Sequence, residues 1–469
     1  MIVSTSSRRF LSVLSLAMIT IVSVDSVRNL PASALFGAPL IFFFILAGLT
    51  FLIPTALVAA ELATGWPSRG GVYTWVKSAF GEKIGLIAIW FQWIENVIWY
   101  PTILAFIAGT FAYLLFPTHI HNPYYMSGLI LIVFWLSTIV NLCGLRFSAS
   151  LSIFCSIAGL LLPMAFIIGL GMYWLWIGAP LQISLQWADI VPDLSDPTLL
   201  MSLTAVVLSC CGMEITAVHA QEVEDPQRDY PRALLSSTAI ILVTLILGSL
   251  AIALVIPAEE ISLVAGLMQA FDGFLNAYGL EFLLPVLGLS LIIGGLGGLN
   301  SWIVAPSKGL LIALKELNIM PVLHSEKADG TPTALLIVQA LICSVLSLIF
   351  LLLPTINSGY WFLTALASQL YMLMYLLMFA AAIYLRIKKP EVPRGFKIPG
   401  GVWGVGLVGG VGILSAGLTF FLGFYPAIDL PVHQILIYQA AIIGGLILMS
   451  VPPFIAYRRH NQIPIKRNL

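Results

Sequence analysis

Apolar residues run along this chain in blocks of about twenty, each long enough to cross a ~30 Å hydrocarbon core as a helix. The blocks are continuously apolar rather than alternating, which excludes a β-barrel and predicts an all-α integral membrane protein. Twelve spans are read, at roughly 11–37, 39–64, 83–114, 125–143, 150–178, 198–221, 232–256, 281–316, 332–353, 358–387, 403–425 and 434–457. Between spans seven and eight, Ile261 to Phe274 has the character of a short interfacial helix. No soluble domain or long linker interrupts the series, so residues 1–469 read as one transmembrane domain.

Polar residues break two of these blocks in corresponding places. Span one contains Ser23-Val-Asp-Ser-Val-Arg-Asn-Leu-Pro31, where Pro31 removes a backbone donor and disfavours helix at Leu30. Span six contains Leu208-Ser-Cys-Cys-Gly-Met-Glu-Ile-Thr216, polar and glycine-containing near mid-membrane. The separation of five spans is what two inverted five-helix repeats require, here about 11–178 and 198–387, with extra helices at about 403–457. Paired interruptions of this kind point to a transporter's binding site, because unwound backbone at that depth must line a cavity or be buried in protein. The plainer alternative is two kinked packing helices.

Charge adds a topology. Twenty of the 21 Lys and Arg residues fall at alternate connections, among them Arg8, Arg9, Arg69, Arg146, Arg232, Lys315, Arg394 and Arg459. The intervening connections carry Asp189, Asp193, Asp196, Glu259, Glu260, Asp272 and Asp429 but no Lys or Arg. Basic loops stay in the cytoplasm, so both termini are expected inside, in a bacterial inner membrane. A composition of 60% hydrophobic and 9% charged residues excludes a soluble globular protein, and zero net charge suggests no nucleic-acid partner. Arg8-Arg9 and the apolar run after them resemble a signal peptide, but apolar sequence resumes beyond Asp25, so a retained first helix is expected. Cys143, Cys155, Cys210, Cys211 and Cys343 lack metal-ligand spacing and read as packing residues.

The exceptional cation is Arg28, inside span one, where an ionisable group is by default a functional candidate. At i, i+3 from Asp25 it can form a closed ion pair, if that stretch stays helical. Alternatively the break exposes Asp25, Ser26 and Arg28 to a cavity, where the planar guanidinium grips a carboxylate. A backbone cradle at the second half-helix would hold another, favouring a substrate with two carboxylates. Beside Gly212 in the other break, Glu214 can take a substrate ammonium, titrate as the pathway opens and closes, or cap unwound backbone donors. Glu95, too deep to reach either surface, is a second proton-coupling candidate, or else bonds Asn96 in a helix–helix contact. Glu61, at the end of span two, suits a solvated or loop-anchoring role. Tyr371 and Tyr375 lie one helical turn apart on one face of span ten and can close over a substrate or simply pack. His219 and the cluster Glu222-Val-Glu-Asp-Pro-Gln-Arg-Asp-Tyr-Pro-Arg232 are boundary charges, solvated or part of an inner gate. Gly294-Gly-Leu-Gly-Gly298 has no preceding strand and reads as a close-packing surface. No catalytic triad, HExxH or Walker sequence appears, so neither enzymatic activity nor a cofactor or metal is expected.

Three segments carry a resemblance to the amino acid–polyamine–organocation (APC) superfamily. They are Ala60-Glu-Leu-Ala-Thr-Gly-Trp-Pro-Ser-Arg-Gly-Gly-Val-Tyr-Thr-Trp75, Gly212-Met-Glu214 running on to Ala233, and Trp302-Ile-Val-Ala-Pro-Ser-Lys-Gly309, supported by Phe396-Lys-Ile-Pro-Gly-Gly401. Within it the chain is most similar to the bacterial glutamate/γ-aminobutyrate antiporter branch. The resemblance implies a LeuT-like five-plus-five inverted repeat with two C-terminal helices, and alternating-access amino-acid transport. It also implies substrate contacts at the span-one break, at Gly212 and Glu214, and at Tyr371 and Tyr375. The chain departs from that branch where Arg28 replaces an aromatic side chain, and in ending soon after Arg458-Arg-His-Asn-Gln-Ile-Pro-Ile-Lys-Arg-Asn-Leu469, without room for a pH-sensing plug. Acid-gated exchange is therefore not expected.

The resulting expectation is a secondary active amino-acid permease, an antiporter or proton-coupled carrier of acidic or small polar amino acids such as glutamate. An empty site that leaves Arg28 and Glu214 less satisfied favours exchange. The alternatives are a cationic amino-acid or polyamine carrier, disfavoured by Arg28, and a non-transporting sensor. Oligomeric state is undecided by sequence.

Overall fold

Apolar side chains that cover every side of a helix can be buried only inside a bundle, and this chain forms one. The computed structural model describes residues 12–68, 70–143, 155, 157–192, 197–215, 225–328, 330–426 and 432–462. Among them, eleven helical stretches are long and apolar enough to cross a membrane, and a shorter apolar one covers Leu203–Ile215. The architecture is all-helical, as expected. Arg8, Arg9, Arg69, Arg146, Asp193, Asp196, His219, Glu222, Glu224, Asp429, Lys466 and Arg467 lie outside the described residues, as does the start of span five.

Span one is two pieces. Its first half, Val13–Val24, is capped by the Ser12 hydroxyl, which accepts the Ser15 N–H. It ends at Asp25 and Ser26, both extended, and after a 3-10 turn at Val27–Asn29 helix resumes over Leu30–Ala34. Leu30 is helical (φ −59°, ψ −45°), so the break is not where Pro31 was expected to impose it. Pro31 stands in the first turn of the second half, where its missing N–H has no intrahelical partner to lose.

Two other prolines act at a distance. In span two (Leu40–Gly65) Pro54 cannot donate one turn back, and the helix widens to a π segment over Gly48–Leu52. Span five repeats the device, with a π segment at Ile157–Leu161 just before Pro163.

Span three (Glu82–Leu115), buried along most of its length, packs against span eight (Leu284–Glu316) and span ten (Ile356–Lys388). Spans five and eight meet backbone to backbone, because a Cβ placed on Gly159 would lie 2.0 Å from the Gly294 Cα. That contact makes Gly294 a packing position, whereas Gly298 at the other end of the run has open space beside it. Gly401–Leu422 and Val432–Gln462 lie outermost, with Leu407, Leu414 and Leu448 exposed for lipid. The expected interfacial helix runs over Gly266–Tyr278, while Leu263 before it is held in a strap whose N–H reaches Asn357 Oδ1 at 3.1 Å.

On the face that carries the basic connections, Glu61 is buried rather than solvated, and it anchors a loop. Arg386 Nη1 approaches its Oε1 at 2.5 Å, Arg394 Nε at 3.3 Å, and the Ile398 N–H donates to Oε2 at 2.9 Å. The Arg394 guanidinium lies over the Trp66 ring, 4.9 Å from its centroid. Nearby, Asp225 caps span seven (Pro226–Val255) by accepting the Arg228 N–H.

Candidate functional site

The two breaks face each other. Gly212 follows the first half of span six (Pro197–Ser209) with φ +114°, a conformation that strains any residue carrying a Cβ. A Cβ there would also come within 3.2 Å of the Ser23 carbonyl oxygen, beside the break in span one. Unwound backbone from both spans thus borders an internal cavity of about 130 Å³, walled by Asp25, Arg28, Glu95, Trp99, Trp302 and Tyr371, with Ser26 on its rim. A cavity of ~150 Å³ holds one benzene-sized molecule, so this one suits a single small solute.

Asp25 and Arg28 form no ion pair. Asp25 Oδ2 accepts from Thr244 Oγ1 on span seven at 2.7 Å, while Oδ1 is buried without a hydrogen-bond partner among the described residues. Arg28 Nη1 donates to Thr102 Oγ1 at 2.5 Å and lies 3.5 Å from the Tyr360 hydroxyl, and the guanidinium stacks over Trp99 at 4.9 Å. Its Nε is buried without a partner. The extended backbone at Ser26 explains the separation, since the i, i+3 meeting of a helix is lost there.

Glu214 is the centre of a second network. Tyr371 donates to Oε1 at 2.5 Å, Tyr375 to Oε2 at 2.6 Å and Gln92 Nε2 to Oε1 at 3.1 Å. The Tyr375 oxygen also accepts the Gly212 N–H at 2.9 Å, so this tyrosine satisfies a backbone donor where span six unwinds. Tyr371 lines the cavity, while Glu214, Gly212 and Tyr375 do not. Glu95 does lie on the wall, within electrostatic range of both Arg28 and Glu214. Its Oε2 accepts from Asn96, a neighbour on its own helix, so the expected helix–helix contact is not made.

Sequence reasoning brought forward the charged members of the site but not Trp99, Thr102, Thr244, Tyr360 or Gln92. Trp99 was findable, being one turn beyond Glu95 on the same face. The threonines carry no signal, because their partners lie 74 and 219 residues away.

Helices interrupted in pairs around a mid-bundle cavity define a secondary transporter. Residues 11–448 match the amino acid permease family, and the chain belongs to it. An uncharacterized transporter of Legionella pneumophila is 44% identical over 97% of this chain and 98% of its own. A glutamate/γ-aminobutyrate antiporter of Lactococcus lactis is 29% identical over 94% of this chain and 88% of its own. Among solved structures, a manganese transporter of Eremococcus coleocola superposes with a TM-score of 0.52 at 13% identity, covering 95% of this chain and 94% of that one. That likeness shows the fold alone. The protein is a multi-pass membrane transporter, not an enzyme.

Proposed function

We propose that the protein exchanges amino acids across a bacterial inner membrane, both termini cytoplasmic, and carries an acidic or small polar amino acid such as glutamate. The observation that carries this reading is Arg28. It is a guanidinium inside the helix bundle, free of any ion pair with Asp25, with a buried Nε that has no partner among the described residues, and the residue borders a cavity sized for one small solute. A carboxylate there gains a charge-assisted bond that water cannot match in a low dielectric. The L. lactis glutamate/γ-aminobutyrate antiporter supports both the substrate class and exchange. The two halves of the fold, about 11–178 and 198–387, rock around this fixed site. Glu95 and Glu214 are the groups able to carry a coupled proton.

A second reading, a cationic amino-acid carrier, is favoured by one observation. Asp25 and Glu95 on the wall, with Glu214 bonded to Tyr371, outnumber the lone guanidinium.

Labelled glutamate uptake into proteoliposomes, with and without unlabelled amino acid inside, tests the first reading. Uptake that needs internal amino acid, and an Arg28→Ala variant that loses ~10- to 100-fold of its apparent glutamate affinity, is the expected outcome. Retained preference for acidic over neutral amino acids in Arg28→Ala sinks it. Lysine or arginine outcompeting glutamate in the wild type establishes the second.

A further inference from the structure

We infer that Asp25 Oδ1, and not Glu214, is the acceptor for the ammonium group of the transported amino acid. The inference rests on the reading of the cavity as an amino-acid site and specifies which carboxylate reads the amine.

Three carboxylates compete for that role, and their surroundings separate them. Glu214 already accepts from Tyr371, Tyr375 and Gln92 and does not line the cavity, whereas Tyr371 does. An ammonium could reach it only by displacing a hydroxyl that also holds the span-ten face in place. Glu95 is on the wall, but it is the carboxylate whose charge Arg28 feels. Among the described residues Asp25 has no cationic partner. One of its oxygens is fixed by Thr244, and the other is buried with no side-chain partner among the described residues, in a residue that borders the cavity. With the residue only 5% exposed, a solitary acceptor of this kind is costly unless a donor arrives.

Position strengthens the case. Asp25 closes the twelve-residue half-helix Val13–Val24, whose C-terminal carbonyls add negative potential at that point. Three residues on, Arg28, whose buried Nε has no partner among the described residues, borders the same cavity. One stretch of broken helix therefore presents an acceptor and a donor of opposite charge, held apart from each other. An amino acid carries the complementary pair, and its ammonium has three donors to give.

Calorimetric titration of the purified full-length protein tests this with ligand pairs that differ only in the amine. The pairs are L-glutamate with glutarate, and L-glutamine with 4-carbamoylbutanoate. Wild-type protein should prefer the amine-bearing member by at least ~10-fold. Asp25→Asn should bring that ratio near one while glutarate binding persists, and Glu214→Gln, whatever its effect on overall affinity, should keep the ratio. Thr244→Val, which removes the hydroxyl that positions the Asp25 carboxylate without removing a charged side chain, should lower the ratio partway and serves if Asp25→Asn does not fold. An unchanged ratio in Asp25→Asn, or a ratio that collapses in Glu214→Gln, overturns the inference. So does a sodium requirement, seen by replacement with choline, that Asp25→Asn abolishes, because it assigns Oδ1 to an inorganic cation. Wild-type protein that binds none of the four compounds removes the amino-acid reading itself, a result distinct from all of these.

Discussion

Tyr371 and Tyr375 look interchangeable, one turn apart with ring centroids separated by 4.8 Å, yet their hydroxyls have different duties. Tyr371 gives Glu214 one of its three hydrogen bonds. Tyr375 does the same and also receives the Gly212 N–H, which has no helical acceptor where span six unwinds. Removing the first hydroxyl weakens one carboxylate contact, whereas removing the second also orphans a buried backbone donor. Tyr375→Phe should therefore destabilise the protein by ~1–3 kcal/mol more than Tyr371→Phe, measured as apparent Tm in the same detergent. Equal losses in the two variants count against this division of labour. The tyrosine face was visible in the sequence from its spacing. The division was not, because it depends on a glycine 163 residues away in a conformation that spacing does not encode.

Among the elements, the crossing of spans five and eight admits the least change. The Gly159 and Gly294 backbones occupy each other's Cβ positions, so an added methyl meets main-chain atoms, which cannot swing aside as a side chain can. Gly159→Ala or Gly294→Ala should cost ~1–3 kcal/mol or abolish folding, while Gly298→Ala, with open space at that point, should fold normally. Thermal unfolding of the three variants decides it, and a Gly159→Ala protein as stable as wild type contradicts the crossing. Eleven of the twelve expected spans, the shorter apolar helix at Leu203–Ile215 and both interruptions were legible because hydrophobic run length and polar punctuation are local properties. The cause of the first break was misplaced. Pro31 is the obvious disruptor by local rules, yet a proline in the opening turn of a helix disrupts nothing, and the chain unwinds instead at Asp25 and Ser26. The π segments before Pro54 and Pro163 show the same residue at work where it does lie inside a span.

Across the whole molecule, the Glu61 cluster joins span two to the end of span ten and the segment beyond it. Sequence placed Glu61 at a span end but gave no sign of burial, since its partners are Arg386, Arg394 and the N–H of Ile398. Glu61→Gln leaves two guanidinium groups facing each other without their shared anion. It should cost ~3–5 kcal/mol, less whatever water recovers at this membrane face, and adding Arg386→Gln should restore part of the loss. Additive losses in a double-mutant cycle of the two rule out coupling between them. The same cluster sets a schedule for biogenesis. A ribosome releases Glu61 into the membrane 325 residues before it makes Arg386. At ~5–20 residues per second that interval is some tens of seconds, during which span two holds a carboxylate with no counter-ion. That end of span two can settle only after residue 398 has been made, so a product truncated before span ten lacks all three partners of the Glu61 carboxylate.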